Sequence, residues 1–314
     1  MKQSHRILPA VVLAAGVAFS ASAKVDSDLP TYEPVSGVSG TLNSVGSDTL
    51  NNMMTLWAES FQAIYPNVKI QIEGKGSSTA PPALIEGTSQ LGPMSRAMKS
   101  SEEDAFEKKF GYKPTQVGVA IDALAVFLNK DNPLDNLTLE QVDSMFSSTF
   151  KRGGTPLARW GQLGVEGGLA DRAISLYGRN SASGTYGFFK EVVLEGGDFS
   201  PRVKEQPGSS SVVQGVASDL NGAGYSGIGY KTSGVKAVSL DGAEPTAENC
   251  ISGDYPLART LFVYINKSPT EDLDKLTYEF LRYVLSKQGQ EVVAKDGYYP
   301  LPASVAARIL KSIQ

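Results

Sequence analysis

The 314-residue chain carries 29 Lys and Arg against 33 Asp and Glu, a net charge of −4. That field opposes the basic phosphate contacts on which nucleic-acid binding rests, so no nucleic-acid partner is expected. The chain's one histidine is His5 and its one cysteine is Cys250. A Ser-His-Asp triad, a Cys-His dyad, a histidine-ligated zinc and an intrachain disulfide are therefore all excluded from the body of the chain.

Residues 1–23 read as a secretory signal. Lys2 and Arg6 give a basic start, ILPAVVLAAGVAF an apolar stretch, and Ala21-Ser22-Ala23 a small-residue cleavage site. The stretch is too short for a comfortable membrane span, and no cysteine follows it to carry a lipid anchor. The reading is an exported chain starting near Lys24, without stable membrane insertion, in the periplasm or outside the cell. Residues 24–40 look like a loose lead-in.

From 41 to about 116 the pattern is strand, helix, strand, helix, short strand, helix. Thr41 to Val45 is a strand that runs into Gly46-Ser47-Asp48-Thr49. Leu50, Met53, Met54, Trp57, Phe61 and Ile64 then recur at helical spacing, with Trp57 a core residue. Val68, Ile70 and Ile72 alternate as a second strand, Gly74 to Thr79 turn, and Pro81 and Pro82 suit a first helical turn. The charged stretch 101–110 reads as an exposed helix face.

Residues 117–130 form a long apolar run interrupted by Asp122, suited to crossing between two lobes. A second α/β set follows, with a helix from Leu139 to Phe146 and Trp160 as a surface loop anchor. LYGRNSASGTYGFFK (176–190) is a strand, an arginine, small hydroxyl residues and a helix start. Ser209 to Ser211 precede another helix and either cap it, which is the favoured reading, or face the cleft. The run 257–266 returns to the first lobe, and Leu273, Leu276, Phe280 and Val284 mark one face of a strongly amphipathic helix.

Three of these junctions share one form, strand to Gly/Ser loop to helix. Free N–H groups and the dipole at a helix start favour an anion, and an arginine adds a bidentate fork. Each loop alone is equally an ordinary helix cap. Together they point to a convergent anion site on a two-lobed α/β protein.

VGSDTL (45–50), EGKGSSTA (73–80), GPMSRAM (92–98), VAIDALAVFLN (119–129), GRNSASGTYGFF (178–189), VVQGVASDLNGAGYSGIGY (212–230), YPLARTLFVYIN (255–266) and DGYYPLP (296–302) stand in a familiar order. The chain resembles the phosphate-binding proteins of bacterial phosphate ABC transporters, a type II periplasmic-binding-protein family. The resemblance implies two lobes joined by two crossing strands around a central ligand cleft. Residues 24–118 and 260–314 would form the first lobe and 119–259 the second. It implies a protein that needs no cofactor, captures inorganic phosphate by hinge closure and delivers it to a membrane ABC permease; a monomer is expected because no coiled-coil or swapped-arm pattern is visible. The ligand set it implies is Ser47 and Thr49, Ser77 and Ser78, then Arg179, Ser181, Ser183, Gly184 and Thr185, with Arg179 alternatively only the partner of a carboxylate at a strand end. Many relatives have Ser-Asp where this chain has Ser95-Arg96. Arg96 is either a second anion ligand or a lobe-to-lobe ion pair.

The acceptor carboxylate is then open. Near neutral pH phosphate keeps a proton that a buried carboxylate can accept, whereas sulfate has none and is repelled. Asp48 is either that acceptor or a helix cap. Asp122 is either the acceptor or a structural partner of a backbone group or arginine, and the expectation favours it as acceptor. Sulfate or molybdate binding on the same fold, a secreted phosphatase and an adhesin or phosphate sensor are the alternative readings.

Overall fold

The computed structural model describes residues 24–314, so the expected signal lies outside the described residues. The first half runs β1 (Gly40–Gly46), α1 (Asn51–Ile64), β2 (Val68–Gly74), α2 (Ala80–Glu86), β3 (Gly92–Met94), α3 (Ser100–Phe110) and β4 (Thr115–Asn129). The second half runs β5 (Asn136–Leu137), α4 (Leu139–Phe146), β6 (Ser175–Arg179), α5 (Gly184–Val192), β7 (Val203–Gln206), α6 (Ser209–Ser218), β8 (Gly222–Gly227), β9 (Val235–Ala237), β10 (Ser239–Leu240) and α7 (Ala247–Ser252). β11 (Ala258–Ile265), α8 (Lys275–Val284), α9 (Lys287–Lys295) and α10 (Ala303–Ser312) complete the chain.

Periodicity explains most of these elements. α1 buries Met53, Met54, Trp57 and Phe61 on one face, and Trp57 Nε1 donates to the Gly289 carbonyl at 2.8 Å. α2 has proline in its first turn, where a missing N–H costs little, and ends at Gly87 with φ +73°. α8 buries Leu276, Phe280 and Val284; Leu273 falls just before it, because Asp274 caps the helix by accepting the Thr277 N–H.

One long sheet links both halves in the order β3-β11-β4-β8-β6-β7, with β9 also on β4. The parallel pair β1-β2 adjoins it through the Ser44–Leu91 bridge beside β3. β4 is the spine of this arrangement. Its Thr115–Ala123 part pairs antiparallel with β11, and its Leu124–Leu128 part pairs with β8. Buried almost throughout, β4 needs the near-continuous apolar run seen in its sequence.

Two local expectations are corrected. The expected lead-in 24–40 lacks regular structure up to Gly40, where β1 begins, but it is not loose. Leu29, Tyr32 and Val38 are buried, Tyr32 Oη donates to Glu279, and the Lys287 N–H donates to the Pro30 carbonyl. Apolar side chains within this polar stretch cover α1 and α8 and so tie it down. Trp160 is no surface anchor either; it is fully buried, the largest apolar side chain its glycine-rich stretch can offer the core. Cys250 is buried, and burial pushes its thiol up to about 12, which keeps it protonated and inert.

Candidate functional site

The three loops meet where the two halves face one another. In the first, the Ser47 N–H donates to the Pro93 carbonyl at 2.7 Å and Ser47 Oγ accepts the Thr49 N–H at 3.2 Å. In the second, Gly76 adopts φ +118°, and a Cβ there would stand 2.5 Å from the Ala182 carbonyl oxygen, so only glycine fits. The turn delivers Ser77, whose Oγ accepts the Ser95 N–H at 3.0 Å. In the third, Ser183 caps α5 by accepting the N–H groups of Thr185 and Tyr186. With its lone pairs so used, its hydroxyl proton remains a donor.

Four buried hydroxyls gather at the start of α5. Thr49 and Thr185 oxygens lie 2.9 Å apart, Ser77 and Ser95 3.3 Å, and Ser95 and Thr185 3.5 Å. Gly184 packs directly on this group; a Cβ there would lie 2.7 Å from Ser95 Oγ and closer still to Ser77 Oγ. Tyr230 Oη donates to the Asp48 carbonyl at 2.8 Å and Tyr298 Oη to the Thr49 carbonyl at 2.9 Å, fixing the first loop from behind. Burial raises both phenols, so they stay neutral donors.

Two buried arginines adjoin the hydroxyls. Arg179, at the end of β6, donates through Nη1 to Ser209 Oγ at 2.7 Å and pairs with Asp48 Oδ2 at 3.2 Å. Its Nη2 donates to the Pro207 carbonyl, and its buried Nε has no partner among the described residues. Burial lowers its pKa and Asp48 opposes that shift. Asp48 Oδ2 also accepts the N–H of Ser209, the first residue of α6, at 2.8 Å. Asp48 therefore serves the start of α6 across the interface rather than capping α1, whose cap position is Leu50. Its Oδ1 has no protein hydrogen-bond partner among the described residues, and its side chain is 22% exposed.

The second arginine, Arg259 of β11, was not anticipated. Its Nε and Nη2 donate to Asp122 Oδ2 at 2.9 and 2.7 Å, and Asp122 Oδ1 accepts the Ile228 N–H at 3.0 Å. Three donors thus hold the carboxylate that was expected to face the anion. The structural alternative for Asp122 describes what it does here.

The structure brings Ser47, Asp48, Thr49, Ser77, Ser95, Arg179, Ser183, Gly184 and Thr185 together. Ser78 is nearby but spends its N–H and hydroxyl on the Ala182 carbonyl, at 3.2 and 3.0 Å. Ser181 is exposed. Arg96 makes no lobe-to-lobe pair here: its guanidinium is held in a bidentate ion pair with Glu102 on the following helix, both bonds 2.7 Å. Proximity explains it, since Glu102 also accepts the Lys99 N–H at the start of α3. Ser209 had been read as a cap, whereas Gly208 holds that position and Ser209 faces Arg179. The signal for Arg259 was the charge complement, one arginine in one crossing strand and one aspartate in the other.

Such a site can surround a small tetrahedral anion with hydroxyl, amide and guanidinium donors from both halves, beside a carboxylate with acceptor capacity to spare. Among the described residues no group of three or more His, Cys, Asp or Glu side chains is placed to hold a metal ion.

Residues 31–288 match the PBP superfamily domain. The chain is 56% identical to the phosphate-binding protein PstS of Pseudomonas aeruginosa, over 100% of this chain and 99% of that protein. It is 28% identical to PstS of Bacillus subtilis, over 84% of this chain and 81% of the relative. Among solved structures it is similar to a phosphate ABC transporter substrate-binding protein of Clostridium perfringens with bound phosphate. The TM-score there is 0.72 at 28% identity, covering 83% of this chain and 100% of that one.

Proposed function

The chain belongs to the PBP superfamily and, within it, to the phosphate-binding proteins, and from that footing we propose that it is a periplasmic receptor for inorganic phosphate. It captures the anion between its lobes and delivers it to a membrane ABC permease, acting as a monomer without a cofactor. The observation that carries this reading is the hydroxyl cluster at the start of α5, to which the first-lobe loops give Thr49, Ser77 and Ser95 and the second lobe gives Thr185. Hydroxyls that face one another across an interface exchange those contacts for an anion's oxygens when one enters. Closure then completes the anion's shell from both sides and creates the surface that the permease reads.

The charge pattern supports phosphate. Arg179 supplies the positive charge, through the guanidinium edge that retains an unpartnered Nε. Asp48 supplies the acceptor, since its Oδ1 is uncommitted while both oxygens of Asp122 are taken. A carboxylate in the shell accepts the proton of hydrogen phosphate and repels sulfate.

The test is calorimetric titration of protein freed of ligand by partial unfolding and refolding, with phosphate and sulfate at pH 8. Tight 1:1 phosphate binding with sulfate inert is expected. Binding of neither anion, or of both equally, would overturn the reading.

A further inference from the structure

Arg259 and Asp122 are register partners, standing opposite each other where β11 and β4 cross between the halves of the sheet. The side chain of Arg259 is 3% exposed and that of Asp122 not at all. Such a pair could be merely an internal fastening. The contacts of Arg259 extend further. Nη1 donates to the Ser95 carbonyl at 2.9 Å, and Nη2, besides its bond to Asp122, donates to Thr185 Oγ1 at 3.1 Å. One guanidinium therefore holds a first-lobe loop, the crossing strand and the start of the second-lobe helix. Its planar fork suits that task, which a lysine's point charge cannot reproduce.

The bond to Thr185 has a chemical consequence. A hydroxyl that accepts from a permanently charged donor keeps its own proton free to donate elsewhere. Thr185 Oγ1 accepts from Arg259, so its proton is left for Thr49 Oγ1, which lies 2.9 Å away across the interface of the halves. Asp122 meanwhile offsets the charge of Arg259, so the arginine orients the shell without adding net positive charge to it. Ser95, held by its carbonyl, presents its Oγ to the same space.

We propose that Arg259 is a positioning residue for the anion. It polarises the Thr185 hydroxyl as a donor and clasps Ser95 to α5, so that its bonds to the two lobes are made together only when the cleft is closed. Asp122 holds the guanidinium in the plane this requires. The inference rests on the phosphate-receptor reading.

A double-mutant cycle in phosphate affinity tests it. The charge-neutral pair Asp122→Asn with Arg259→Gln avoids stranding a buried charge, and thermal unfolding monitored by circular dichroism confirms that it folds. If that pair does not fold, Arg259→Lys replaces it in the same cycle. Thr185→Val and the neutral pair should each weaken phosphate binding about tenfold or more, the loss of one charge-assisted hydrogen bond. Combined, they should weaken it by little more than the larger single effect, because Arg259 acts through Thr185. Multiplying effects, about a hundredfold together, would overturn the inference while leaving the receptor reading intact. So would a neutral pair that folds and binds as the parent does. A parent protein that binds no phosphate would overturn both.

Discussion

Among the described residues two arginine–aspartate pairs join the halves, and they differ in what they leave unsatisfied. In Arg259–Asp122 every nitrogen of the guanidinium and both carboxylate oxygens have protein partners, and neither side chain is more than 3% exposed. In Arg179–Asp48 the arginine is just as buried, yet its Nε has no partner and Asp48 Oδ1 is free on a side chain 22% exposed. Buried polar groups are normally satisfied, so spare capacity beside a cleft marks the pair that meets a ligand. The saturated pair is a fixture that sets the frame. Burial depth alone would have ranked them the other way.

Removing one partner from each pair should separate the roles. Asp122→Ala leaves Arg259 charged and unpaired in the interior and should cost about 3–5 kcal/mol of stability in urea unfolding. A loss under about 1 kcal/mol would mean the crossing tolerates a lone guanidinium. Arg179→Gln should act on ligand instead, weakening phosphate binding about a hundredfold, the worth of two charge-assisted bonds, as read by calorimetry. A larger effect on unfolding than on affinity would erase the contrast between the pairs. Arg96→Gln sets the lower bound. Its partly buried pair with Glu102 lies within one lobe, outside the hydroxyl cluster, so phosphate affinity should stay within about threefold.

Much of the frame was legible in the sequence because it rests on local pattern. α4 spans Leu139–Phe146 as its spacing predicts, and β4 and β11 follow the two apolar runs. The three loops were legible through Gly, Ser and Thr at strand-to-helix junctions. Their partners were not. Asp48 caps a helix 161 residues away, Arg259 reaches Thr185 across 74, and no periodicity encodes such distances. Arg96 stands where the resemblance places an anion contact, while a glutamate six residues on pairs with it at close range. The segment 24–40 looked loose because packing by single side chains leaves no repeating signature.

The most direct measurement is competition between phosphate and sulfate on Asp48→Asn. The substituted amide can keep an oxygen toward Ser209 and Arg179, which turns an NH₂ donor to the place that Oδ1 held. Phosphate affinity should fall about tenfold or more, and sulfate, inert toward the parent, should now bind. Undiminished phosphate binding with sulfate still refused would contradict the account and return the acceptor role to Asp122.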